Sequence, residues 1–115
     1  RGDIKIKNVH GPVIVENARG NTFVLFEVVR QDSPISLVNS HGDIDVTLPS
    51  NTNATIEVTV PRGEFFTDLD LKAVEEYENE RDKIRASRYL KSKLNDGGVS
   101  IIIISSYGNV YLRKK

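Results

Sequence analysis

The sequence predicts an all-β fold, a β-solenoid of short strands with one charged excursion at about residues 72–94. Three observations carry that prediction. A glycine followed by alternating apolar residues recurs along the chain, and these glycines fall at related intervals. With 115 residues, 38% of them hydrophobic and 28% charged, the chain also has the size and composition of one globular domain with a modest core.

The strands can be followed in order. Gly2 precedes Ile4 and Ile6, Gly11 precedes Val13 and Val15, and Gly20 opens a looser copy that ends in Phe23, Val24, Leu25 and Phe26. Each unit is a turn residue that tolerates positive φ, then a strand with every second side chain on one face. Ile35 and Leu37 alternate next, and Gly42 introduces Ile44 and Val46. Pro49 and the Ser and Asn residues after it make a loop, because proline donates nothing to a ladder and Asn and Ser favour turns. Ile56, Val58 and Val60 alternate again, and Gly63 precedes Phe65. A turn is expected at residues 95–98, a strand through Val99 and Ile101 to Ile104, and a closing strand through Val110 and Leu112 after Gly108.

Gly2, Gly11 and Gly20 are nine residues apart, Gly42 follows Gly20 by 22, Gly63 follows by 21, and Gly108 by 45. A period near 20 suits one turn of a strand-turn-strand ladder, and steps of nine suit one strand and its corner. On this pattern the interval of 45 holds two periods.

Residues 72–94 contain no Gly or Pro and are densely charged. Val74, Tyr77 and Ile84 fit one helix face, and Glu78 with Arg81 and Asp82 with Arg85 fit helical pair spacing. The expectation is a helix or irregular excursion over residues 73–85 and a strand from Ser87, with two polar strands as the alternative. Ile101 to Ile104 are apolar on both faces of their strand, so an outward strip is left to be covered or used for binding. Residues 72–90 are expected to cover part of it.

Composition excludes several classes. Lys plus Arg and Asp plus Glu both number 16, and without a basic excess or stripe nucleic acid is not an expected partner. The absence of cysteine rules out a disulfide framework and a thiolate metal site. No apolar run approaches the ~20 residues that cross a bilayer, so no transmembrane segment is expected. The chain starts at Arg1 rather than Met and is expected to lack its native N-terminal segment. The whole is expected to be a single domain.

The order of motifs resembles a known bacterial family. Residues 42–49, then 54–60, then 63–69, with the turn at 95–98 and the tail at 106–114, look like the adhesin-labelled β-strand-repeat domains of unknown function, relatives of the toastrack domains. The resemblance spans roughly residues 2–112 and is weakest over the excursion. It departs from the family at Asp96, where a glycine is usual. It implies a right-handed single-stranded parallel β-helix and an exported protein of the bacterial cell envelope (periplasmic, surface-exposed or lipid-anchored). It supplies no catalytic residues.

His10 and His41 each sit just before a turn glycine, but two imidazoles without a third ligand do not make a metal site. Asp43 and Asp45 flank Ile44; paired carboxylates serve acid–base chemistry or calcium, yet alternation makes them the wet face of a strand. Arg1, Gly2 and Asp3 match a cell-receptor tripeptide, which the repeat's own Gly-Asp-Ile pattern explains. Tyr77, Tyr89, Tyr107 and Tyr111 are ordinary strand-surface residues or a sugar-stacking platform. The residues expected at an interaction surface are Tyr107, Tyr111, Ile102 and Ile104. No catalytic, cofactor or metal residues are expected.

The expected function is a non-catalytic envelope module, adhesive, interacting or stress-related, with a protein or polysaccharide ligand. The alternatives are a scaffold that self-associates through open strand edges and, behind it, a polysaccharide-active β-helix enzyme.

Overall fold

The computed structural model describes residues 2–10, 12–78 and 88–115. Eleven strands lie among them: β1 (Ile4–Val9), β2 (Val13–Arg19), β3 (Thr22–Phe26), β4 (Ile35–His41), β5 (Ile44–Leu48), β6 (Ala54–Thr59), β7 (Phe65–Thr67), β8 (Leu71–Glu78), β9 (Arg88–Leu94), β10 (Val99–Tyr107) and β11 (Val110–Lys114). They form two sheets. One is five-stranded and parallel, in the order β1-β3-β5-β11-β7; the other is six-stranded and mixed, in the order β2-β4-β10-β6-β9-β8. Among the described residues no helix is long and apolar enough to cross a membrane.

Alternation decides which side chains go inward. In the six-stranded sheet, Val13, Ile35, Ile101 and Ile56 lie in register across neighbouring strands, and so do Val15, Leu37, Ile103 and Val58. In the five-stranded sheet the matching rows are Ile4, Thr22, Ile44, Val110 and Phe65, then Ile6, Val24, Val46 and Leu112, the second ending at an exposed Thr67. These rows meet between the layers in one core, in which Leu37, Ile44, Ile56, Ile101, Ile103 and Leu112 are fully enclosed. Each such side chain contributes ~1.5–3 kcal/mol by leaving water, so the central rows dominate stability. At the loop end, Gln31 joins separate strands: its Nε2 donates to the Asn53 carbonyl at 2.7 Å and its Oε1 accepts from the Val99 N–H at 3.0 Å.

The expected single-stranded parallel β-helix is not what forms. A solenoid stacks its strands in chain order and in one direction, whereas here β10 and β11 insert between earlier strands and β9 runs antiparallel to both β6 and β8. The physical reason lies in β10. A strand with isoleucine on both faces is costly at an edge, and between β4 and β6 its outward Ile102 and Ile104 gain neighbours on both sides. The interval of 45 residues between Gly63 and Gly108 is therefore a hairpin excursion and a return, not two periods.

The excursion also departs from expectation. Residues 71–78 are strand rather than helix, paired to β9 from Leu71 opposite Leu94 to Glu78 opposite Arg88. Residues 79–87, including the rest of the expected helix and Ser87, lie outside the described residues. Pairing along the open flank of β6 prevails over the helical spacing. It buries Leu94 and Ser92 and sets Lys91 beside Glu57 at 3.8 Å, a cross-strand opposite-charge pair. In their described parts β8 and β9 extend the sheet beyond β6, so they do not lie over the outward isoleucines. Ile102 and Ile104 are half-buried by their in-sheet neighbours. The turn at residues 95–98 forms as expected, with Asn95 at φ 57 and Gly97 and Gly98 also at positive φ. Asp96 needs no positive φ there, which accounts for the absence of glycine.

Candidate interaction surface

One edge of the sandwich fixes the register of the faces beside it. Gly2, Gly20, Gly42, Gly108 and Gly63 stack there: a Cβ on each of the later four would strike the carbonyl of the glycine before it in that order. Next to them runs a ladder of side-chain oxygens, each accepting the backbone N–H of the adjoining strand. Asp3 accepts from Asn21 at 2.8 Å, Asn21 from Asp43, Asp43 from Asn109 and Asn109 from Glu64, each at 2.9 Å. On the other side, Asn17, Asn39 and Ser105 donate to the carbonyls of Gly2, Gly20 and Gly42. Turn carbonyls and N–H groups are thus paired without water, and the strands leaving the edge are held in step.

With register fixed, the outer face of the five-stranded sheet presents two rows. The first is Lys5, Phe23, Asp45, Tyr111 and Phe66, one residue from each strand; the second is Lys7, Leu25, Thr47 and Arg113. At ~4.8 Å per strand the first row crosses the whole sheet. Tyr111 stacks on Phe66 with centroids 5.3 Å apart and planes within 13°. The Arg113 guanidinium lies 5.3 Å from the Tyr111 centroid and its Nε donates to Asp45 at 3.0 Å. That hydrogen bond, and then the charge of the same carboxylate, raise the Arg113 pKa above its already high ordinary value. An exposed pair of this kind adds little to stability, but it fixes the guanidinium over the aromatic ring. Lys5 sits 5.8 Å from the Phe23 centroid.

An open depression of about 470 Å³ is lined by Lys5, Lys7, Phe23, Leu25, Asp45, Thr47 and Arg113 among others. A smaller one of about 180 Å³ continues past Arg113 between Tyr111, Phe66 and Asp68. The face therefore combines an apolar floor with fixed hydrogen-bonding groups and charges of both signs, Lys5, Lys7 and Arg113 beside Asp3, Asp45 and Asp68.

The four residues expected from sequence do not converge. Tyr111 points outward in this face. Tyr107 ends β10 at the glycine edge, stacked on His41 with centroids 4.8 Å apart and with the Arg62 guanidinium 4.9 Å from its ring centre. Ile102 and Ile104 lie on the outer face of the other sheet, beside Ile14 and Val38 in the same two rows. His10 and His41 are not partners, since His10 stands 3.7 Å from Glu27 and His41 stacks on Tyr107. Asp43 and Asp45 separate as well, the first into the turn ladder and the second onto the face. Gly2 and Asp3 of the tripeptide belong to the glycine edge, and Arg1 lies outside the described residues. Phe23, Phe66 and Arg113 also lie on this face and are not among the four expected residues. The signal for Phe23 is the apolar run 23–26, whose outward members Phe23 and Leu25 are half-buried.

Comparison of the chain with family models, with curated proteins and with solved structures returned no match.

Proposed function

We propose that the chain is a non-catalytic binding module whose recognition surface is the outer face of the five-stranded sheet, and that its ligand is an acidic polysaccharide. The observation that carries this is the in-register row of Lys5, Phe23, Asp45, Tyr111 and Phe66 with its two adjoining depressions. An open, shallow, sheet-wide track suits an extended chain better than a compact small molecule, which favours a concave pocket. The exposed part of Phe23 offers an apolar patch for the C–H face of a sugar ring. The Asp45–Arg113 pair offers fixed donors and acceptors for hydroxyls. Lys7 stands free of any carboxylate partner among the described residues and supplies a cation for a uronate or sulfate group.

A bacterial cell-envelope setting is part of the same proposal. It rests on the resemblance of motif order to adhesin-labelled repeat domains, and an acidic surface polysaccharide is a ligand such a setting provides. Fractionation of the native protein is expected to recover it with the envelope; recovery in the cytoplasm with an initiator Met would remove that part of the reading. End-to-end scaffolding is weighed down by the unequal sheets, because β9 and β8 overhang the last strand of the five-stranded sheet and occupy the space a stacked copy would need.

Calorimetric titration with polygalacturonate, with neutral dextran as the comparison, tests the ligand class. Binding to the acidic polymer is expected, weakening with salt as screening dictates. Phe23→Ala and Lys7→Glu are each expected to lower affinity about tenfold or more, equivalent to ~1.4 kcal/mol, while Tyr107→Ala leaves it unchanged. Equal affinity for dextran, or indifference to both face substitutions, would sink the proposal.

A further inference from the structure

The two ends of the sandwich are built differently. At one end β8 and β9 run past the five-stranded sheet, and Leu69 and Leu94 close the core beneath them. At the other, β1 and β2 are the outermost strands of their sheets, so two rows of backbone N–H and C=O groups face outward side by side. The core is thinnest there. Ile4 and Ile6 are only half-buried, and Ile14 is 79% exposed. Edges of this kind are templates for further pairing.

We propose that this end binds a second copy of the chain, forming a two-fold dimer in which β1 of each copy pairs antiparallel with β2 of the other. The directions permit it. β2 ends where β1 begins, with the Gly2 N–H donating to the Arg19 carbonyl at 3.0 Å, so the two strands run opposite ways in opposite layers. A two-fold axis along the strands, midway between the layers, then sets each β1 against the partner copy's β2 and closes both edges at once.

Charge selects this arrangement over the other symmetric one. Pairing β1 with its own copy would set Lys5 and Lys7 against the same lysines, and like charges directly opposite each other are destabilising. β2 carries Glu16 on its outward side, in the row after Ile14. Antiparallel pairing that sets Lys5 opposite Glu16 also sets Ile6 opposite Val15 and Lys7 opposite Ile14, which keeps inward residues inward. The half-exposed Ile4 and Ile6 then gain the partner's core as a neighbour, and Lys7 remains beside the binding face. Because the interface is isologous, every contact occurs twice.

Sedimentation equilibrium on the 115-residue chain tests the arrangement, with circular dichroism to confirm that each variant is folded. A dimer at micromolar concentration is expected. Glu16→Lys and Lys5→Glu are each expected to weaken it about tenfold or more, because each creates two like-charge pairs. The double variant carrying both changes is expected to restore the dimer. Lys5 and Glu16 stand on outer faces of opposite layers within one copy, so rescue reports a contact between copies and cannot arise from repair inside one. A wild-type chain that stays monomeric at hundreds of micromolar, an assembly larger than a dimer, or single variants that dimerise as the wild type does would overturn the proposal.

Discussion

Gly42→Ala is expected to destabilise the fold by about 3 kcal/mol or more, a large share of the ~5–15 kcal/mol that holds a domain of this size. Two causes act together. Gly42 has φ +124, a conformation L side chains rarely adopt, and an added Cβ would strike the carbonyl of Gly20. Neither backbone can yield locally. Gly42 donates to the Tyr107 carbonyl at 3.2 Å and Gly20 to the His41 carbonyl at 3.0 Å, while Asn39 and Ser105 hold the two glycine carbonyls from the side. Relief would have to open the ladder on both flanks. Gly97→Ala is the control, because it also has positive φ but its Cβ would meet only the Lys93 side chain at 3.3 Å. There the cost is the backbone strain alone, ~1–2 kcal/mol. Urea denaturation of the two variants beside the wild type makes the comparison, and a Gly42→Ala chain no less stable than Gly97→Ala would refute the account of the glycine edge.

This edge shows how far local pattern reaches. Glycine followed by alternating apolar residues could be read at Gly2, Gly20, Gly42, Gly63 and Gly108, because turn geometry and strand period are written within a few residues. The same pattern does not reveal that Gly108 stacks between Gly42 and Gly63. That order depends on which strand covers which edge, a choice among contacts 45 or more residues apart. The reading of residues 73–78 as helix or irregular chain failed for a related reason: local spacing allowed a helix, and the open flank of β6 decided against it. In the candidate surface, Tyr111 and Asp45 could be placed outward from alternation alone. Arg113 could not be matched to Asp45, since 68 residues separate them and only the register of β11 on β5 brings them together. Phe66 joins Tyr111 by the same route, through the pairing of β11 with β7.

The run of four isoleucines in β10 is apolar at every position, so its parity rests on the residues before it. Val99 and Ser100 alternate in step with an outward Ile102 and Ile104, the side expected of them from sequence. The structure assigns Ile101 and Ile103 to the core, both fully buried, and Ile102 and Ile104 to the outer face. Ile103 lies between Leu37 and Val58 in the middle of the inward row, where no loop or edge is near enough to collapse into a void. Ile103→Ala is therefore expected to cost about 3–5 kcal/mol, the upper part of the range for deleting a buried isoleucine, as the cavity stays open. Ile102→Ala removes the same atoms one residue away, but between Ser36 and Glu57 on a half-covered face. It is expected to cost about 1 kcal/mol or less, mostly through lost strand propensity and partial burial. Equilibrium unfolding of the two variants reads the parity of the strand directly. A one-residue slip of β10 would invert the two values, since it moves every side chain of the strand to the opposite face. With that inversion the central rows, and the outer face whose register depends on them through Gly108, would have to be redrawn.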